Sequence, residues 1–204
     1  EAGVSLGQIR EEIAQAELRG DTIPKSMTKA DYAEYRFESA LAEEDDFDML
    51  VMGRTQGKGC YCYVNGVLKT LLDKYIGAYR YVVIDNEAGM EHIARGTLPH
   101  VDALLLVSDC SRRGVQAVAR IAEMVRELDL KPGLMKLIIN RAPGGVLSDG
   151  VREEIEAHHL ELAGVLPQDD AVYEADCDGK PSSKIPDASP VKQALHGIMQ
   201  DLSL

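Results

Sequence analysis

Five short apolar runs punctuate the chain, at residues 47–52 (FDMLVM), 81–85 (YVVID), 101–107 (VDALLLV), 135–139 (MKLII) and 162–166 (LAGVL). The last three are nearly unbroken in Val, Ile and Leu, as expected of strands covered on both faces. Helical spacing fills the intervals. Residues 63–78 set Val64, Val67, Leu68, Leu71, Leu72 and Tyr75 at i, i+3, i+4 intervals. Residues 113–128 repeat the pattern with Val115, Val118, Ile121, Ala122, Val125 and Leu128. Pro132-Gly133 predicts the end of that second helix. Residues 178–190 (DGKPSSKIPDASP) read as a polar, Pro-rich loop, with a last helix over 190–202. The alternation predicts an α/β fold, a mostly parallel, doubly wound sheet with helices on both faces, in a single domain over 1–204.

With 204 residues the chain is long enough to bury a stable core without cross-links. Trp is absent and Phe occurs twice, so aliphatic side chains must fill that core. The 34 acidic residues against 22 basic ones leave a formal charge of -12. A field of that sign repels nucleic-acid phosphates and anionic lipid, which argues against both as partners. No apolar run approaches the ~20 residues needed to cross a bilayer, and no secretory signal opens the chain. The four cysteines are therefore expected as thiols in a reducing cytoplasm.

Ligands of open parallel sheets bind beyond the carboxyl ends of the strands. At 81–89 (YVVIDNEAG) an apolar run ends in Asp85, with Gly89 following in a loop. A carboxylate there suits Mg²⁺, which takes few protein ligands and keeps its waters; it also suits the cap of a following helix. Gly89 lets a backbone N–H approach a phosphate closely. The run 135–141 ends in the polar pair Asn140-Arg141. The Asn140 amide carries both a donor and an acceptor, enough to read a purine edge, although a turn Asn before Pro143-Gly144-Gly145 would look the same. Pro167 can wall a base pocket with its backbone. Asp169 and Asp170 fit the start of a helix, where acidic groups meet the positive end of the dipole.

Cys60-Tyr61-Cys62 offers two soft sulfurs, suited to Zn²⁺, Ni²⁺ or Cu⁺. Two are half of a tetrahedral site, and a second copy across a two-fold axis would complete it. Plain unliganded cysteines and a thiol redox pair stay open beside that reading. GRTQGK at 53–58 has three residues between its glycines rather than the four of a phosphate-binding loop, and Gly59-Cys60 follows the lysine in place of Ser or Thr. It is a decoy. His158-His159 is expected on a surface helix facing solvent. Cys110 and Cys177 have no partner at ligand spacing.

Taken in order, these signals resemble the MinD/ParA-like family of dimeric P-loop ATPases, over roughly residues 45 to 180. The run RYVVIDNEAGMEHIARGT at 80–97 is similar to the switch region of the nickel-insertion branch of that family, which serves carbon monoxide dehydrogenase. Gly-Cys-Tyr-Cys at 59–62 is similar to that branch's cysteine motif. The resemblance implies ATP/ADP and Mg²⁺ as cofactors, with Asp85 supporting the metal and Gly89 near the terminal phosphate. It implies that Asn140, with Arg141 and Pro167, binds the nucleotide and that Asn140 recognises adenine. Cys60 and Cys62 from each half of a homodimer would hold one Ni²⁺ (or Zn²⁺) destined for a client metalloenzyme. A MinD-like ATPase with another client, such as iron–sulfur assembly, and a non-catalytic metal-binding dimer are the alternatives. The family opens with a βαβ unit of roughly 30 or more residues that carries the P-loop. That unit is not in this sequence, which reads as a fragment expected to bind ATP poorly.

Overall fold

The computed structural model describes residues 4–19, 24, 26–53, 74, 77–86 and 101–203. The chain forms two compact units, Glu1–Asp85 and Asn86–Leu204.

In the first unit, α1 (Leu6–Arg19) packs on α2 (Lys29–Glu38). Leu6, Ile9, Ala33, Phe37 and Ala40 form the shared core. Helix α2 starts where Thr28 and Asp31 cap each other reciprocally, each side chain taking the other's backbone N–H at 3.2 Å. Arg36 reaches across to Glu12 at 2.6 Å.

The run 47–52 was expected as a strand of the main sheet. Only Asp48–Met49 (β2) is extended, in a two-residue antiparallel pairing with Ala42–Glu43 (β1). The rest serves the helices. Leu50 and Met52 pack against the α1–α2 core, and the Val51 and Met52 carbonyls accept the N–H groups of Leu6 and Gly7, both at 2.9 Å. Those donors stand in the first turn of α1, where a helix has no internal acceptor for them. Gly53 (φ 68°) ends the segment, and a Cβ there would stand 2.2 Å from Ser5 Oγ.

The run 81–85 also departs from expectation. Residues 81–86 carry no strand, and Val83 is 91% exposed. Strand propensity becomes a strand only within a ladder, and no ladder among the described residues includes this run. The helix expected over 63–78 lies almost wholly outside the described residues.

The second unit holds a parallel three-stranded sheet in the order β3 (Ala103–Asp109), β4 (Leu134–Ala142), β5 (Leu162–Pro167). Helix α3 (Arg112–Glu127) follows β3, α4 (Asp149–Ala157) follows β4, and α5 (Asp170–Cys177) follows β5. After a 3₁₀ turn at Ser182–Lys184 within the polar loop, α6 (Pro190–Asp201) closes the unit. Helices cover both faces of the sheet, as expected of an α/β fold.

Side-chain alternation divides the sheet. Leu106, Leu137 and Ile139 join Val115, Val118, Ala119 and Ala122 of α3 and Val151 and Ile155 of α4 in one core. Ile138 and Leu166 meet Ile198 of α6 on the other face. Each large aliphatic side chain so buried stabilises the fold by roughly 1.5–3 kcal/mol.

Helix α3 stops ahead of Pro132. Its C-cap is Leu128, Asp129 turns left-handed (φ 52°), and Leu130 N–H returns to the Val125 carbonyl at 3.0 Å. Helix α4 ends the same way, with His159 at φ 51° and Leu160 N–H on Ile155. Both are Schellman closures built without glycine. Among the described residues no helix is long and apolar enough to cross a membrane.

Candidate functional site

Because β3, β4 and β5 are parallel, their carboxyl ends share one edge, where Asp109 pairs with Asn140 and Ala142 with Pro167. Each strand tip hands the chain to a turn with its own polar fixings.

At the β3 tip the Asp109 carboxylate accepts from Ser111 N at 3.1 Å and Ser111 Oγ at 2.6 Å. The Ser111 hydroxyl oxygen in turn accepts from Gly114 N at 3.0 Å and so caps α3. A Cβ on Gly114 would lie 2.1 Å from Asp109 Oδ1, so a larger residue there would push the carboxylate off this turn. Next to the cap, Arg112 is held by the buried Glu154 through Nε at 2.9 Å and Nη2 at 2.8 Å. Glu154 also accepts from Gln116 at 2.9 Å. The Gln116 bond, then Arg112, keeps its carboxyl below the usual carboxylate range against the opposing effect of burial.

At the β4 tip Asn140 is half-buried and its Oδ1 accepts from Arg141 N at 2.9 Å. The Nδ2 donors have no partner among the described residues. Arg141 is exposed with φ 56°, an uncommon conformation for a side-chain-bearing residue. The chain then turns through a short 3₁₀ element, Pro143–Gly145, in which both glycines have positive φ.

At the β5 tip Pro167 lies 3.7 Å from where a Cβ on Gly145 would stand. Gln168 N–H donates to the Ala142 carbonyl at 2.9 Å. The turn after β5 is thereby fastened to the turn after β4. Asp169 caps α5 through Ala171 N at 2.9 Å, as its place at a helix start predicts. Its other oxygen takes Ser189 Oγ at 2.5 Å and Val191 N at 3.4 Å. The Ser189 bond leads in holding this carboxyl below its ordinary range.

The structure thus brings Asn140, Arg141 and Pro167 to one edge of the sheet. Asp85 is exposed at the end of the first unit, its carboxylate without a partner among the described residues. A lone hard oxygen donor of that kind fits Mg²⁺, which needs few protein ligands. Gly89, Cys60 and Cys62 lie outside the described residues. His158 sits at the end of α4 with Nε2 at 3.2 Å from Glu154 Oε1. Among the described residues no three His, Cys, Asp or Glu side chains gather as a metal site. Sequence reasoning passed over Asp109, Ser111 and the second role of Asp169. An Asp-x-Ser ahead of a helix was the available signal for the first two; a contact spanning 20 residues leaves none for the third.

No family model matches the chain. An uncharacterized ATP-binding protein of Methanocaldococcus jannaschii is 35% identical over 200 residues, covering 97% of this chain and 78% of the relative. The fold is that of a ParA family ATPase from Chlorobium tepidum, with a TM-score of 0.65, 17% identity, and coverage of 99% of this chain and 76% of that one. This chain belongs to the MinD/ParA family of ATP-binding proteins. Another member, the MinD of Pyrococcus horikoshii complexed with Mg-ADP, has a TM-score of 0.61 at 15% identity, over 99% of this chain and 74% of that one. The carbon monoxide dehydrogenase accessory protein CooC of Rhodospirillum rubrum is 32% identical over 147 residues. That match takes in 70% of this chain and about half (54%) of CooC.

Proposed function

We propose that this MinD/ParA-like protein is an ATP-dependent metallochaperone that delivers nickel to carbon monoxide dehydrogenase. The observation that carries the reading is Cys60-x-Cys62 followed, about twenty residues on, by DNEAGMEHIARG. The 32% identity with CooC supports it.

In this reading the strand-tip edge of the sheet takes the nucleotide. The Nδ2 donors of Asn140 reach a ring nitrogen of adenine, Pro167 walls the base, and Arg141 presents its guanidinium beside them. Gly89 offers its amide to the terminal phosphate, and Asp85 holds Mg²⁺ directly or through water. Bound Mg²⁺ supplies neutralisation of phosphate charge. Nickel is the cargo, taken up by Cys60 and Cys62 of two copies around a two-fold axis, four thiolates to one ion. ATP favours the closed dimer and so assembles this site; hydrolysis to ADP and phosphate favours the open form and releases the ion. The work is done in the cytoplasm, where the thiols stay reduced.

Equilibrium metal titration tests it. One Ni²⁺ per two chains is expected, with binding abolished by Cys60→Ser and by Cys62→Ser. Binding indifferent to both changes rules out nickel delivery.

A further inference from the structure

The Asp169 carboxylate does more than a helix cap requires. A cap needs one oxygen and a donor within about three residues. Here Oδ1 serves that purpose at Ala171 N, while Oδ2 receives the Ser189 hydroxyl and the Val191 N–H, 20 and 22 residues further along the chain. Val191 stands in the first turn of α6, whose own N-cap, Ser189, makes no side-chain cap. Ser189 is buried at 6% exposure and spends its hydroxyl on Asp169. One carboxylate therefore terminates two helices, α5 and α6.

Two residues upstream lies Pro167. The turn it begins is held from one side by the Gln168–Ala142 bond to the β4 tip and from the other by Asp169 to α6. Helix α6 is in turn seated on the sheet, with Ile198 against Ile138 and Leu166. Pro167 is thus fastened to the position of α6 through Asp169, whose short, charge-assisted bond to the Ser189 hydroxyl is stronger than a neutral one, with a longer contact to Val191 N beside it.

We propose that Asp169 is a positioning residue through which the seating of α6 sets the base selectivity of the nucleotide pocket. The inference rests on the base-site reading given above, in which Pro167 and Asn140 flank the purine. Asn140 with its Nδ2 donors reads ring acceptors common to adenine and guanine, which also offers O6 as an acceptor. Preference for adenine therefore needs an acceptor for its amino group, and the backbone of the turn after β5 is the element whose placement Asp169 fixes.

The test titrates the full-length protein with mant-ATP and mant-GTP in the presence of Mg²⁺, for the unaltered chain, Asp169→Asn, Ser189→Ala and Asn140→Ala. Ser189→Ala leaves the α5 cap intact, so it reports even where Asp169→Asn fails to fold. The expected result is a fall of about five-fold or more in the ATP-to-GTP affinity ratio for Ser189→Ala and Asp169→Asn. A lowered Tm with an unchanged ratio, while Asn140→Ala weakens ATP binding, would overturn the inference and leave the base site standing. Asn140→Ala without effect on either nucleotide overturns the base site, and the inference with it.

Discussion

Helix α6 crosses β5 so closely that a methyl group on Gly164 would stand 2.5 Å from both Cδ1 and Cγ1 of Ile198. Ile198 is buried and β-branched, with little rotamer freedom to move aside. Gly164→Ala is expected to cost about 1–3 kcal/mol by overpacking. Combined with Ile198→Ala, which opens the space, the two costs should fall short of their sum by at least about 0.5 kcal/mol. Urea denaturation of the four proteins of this cycle checks it; strict additivity would refute the contact.

Glu154 gives a pH dependence with a definite sign. Gln116 first, then Arg112, favours its ionised form in the folded protein, so its folded pKa lies below the unfolded value of about 4.3. The unfolded chain then binds more protons between the two values, and stability rises with pH through that window. The contribution is complete above the unfolded pKa and is lost as pH falls through the folded one. Glu154→Gln should be less stable than the parent near neutral pH, with the gap closing below about pH 4. A gap of constant size from pH 3 to 7 in the urea midpoints would contradict this.

His159 closes α4 in a left-handed conformation that costs a residue with a side chain free energy. His159→Gly should raise stability by up to about 1 kcal/mol, reduced by the greater freedom of glycine in the unfolded chain. Its side chain is exposed, so no packing is lost. Thermal unfolding measures the change; a lowered Tm would show that the imidazole holds a contact.

Asp85→Asn separates metal support from nucleotide affinity. If Asp85 holds Mg²⁺, the Mg²⁺-dependent ATP hydrolysis of the full-length protein should fall about 100-fold or more in the variant. Nucleotide binding measured in EDTA should match that of the parent. Equal losses in both assays would mean that Asp85 serves the fold rather than the metal.

The parts of the molecule that could be read from sequence are those in which the pattern carries its own partner. The Val, Ile and Leu runs of β3, β4 and β5 announce burial on both faces, and the spacing of Val115, Val118, Ala122 and Val125 announces the helix that covers them. Parallel strands bring their ends together, so Asn140 and Pro167 were expected on one edge. The run 81–85 is apolar too, yet no ladder among the described residues includes it. In 50–52 the apolar side chains pack on helices, while the carbonyls of Val51 and Met52 serve the start of α1. Helices α1 and α2 carry a legible signal as well, with Leu6, Ile9 and Ile13, then Ala33 and Phe37, at helical spacing, although no continuous apolar run marks them. Helix α3 ends ahead of Pro132-Gly133, the usual signal, because Asp129 supplies the left-handed turn without either residue. Asp169 and Ser189 meet only after β5, α5 and the polar loop have folded, so no local spacing reveals them.

The alternation along β4, with Leu137 and Ile139 turned to one core and Ile138 to the other, also bears on how this chain can vary in length. Adding or removing a single residue within the strand would exchange the two faces beyond that point and leave both helical layers mismatched. The neighbouring Pro143–Gly145 turn has no such constraint, since a Cβ on Gly144 would meet nothing within 4 Å. Length changes among descendants of this sequence should therefore collect at that corner, at the carboxyl tip of β4, while the strand keeps its count.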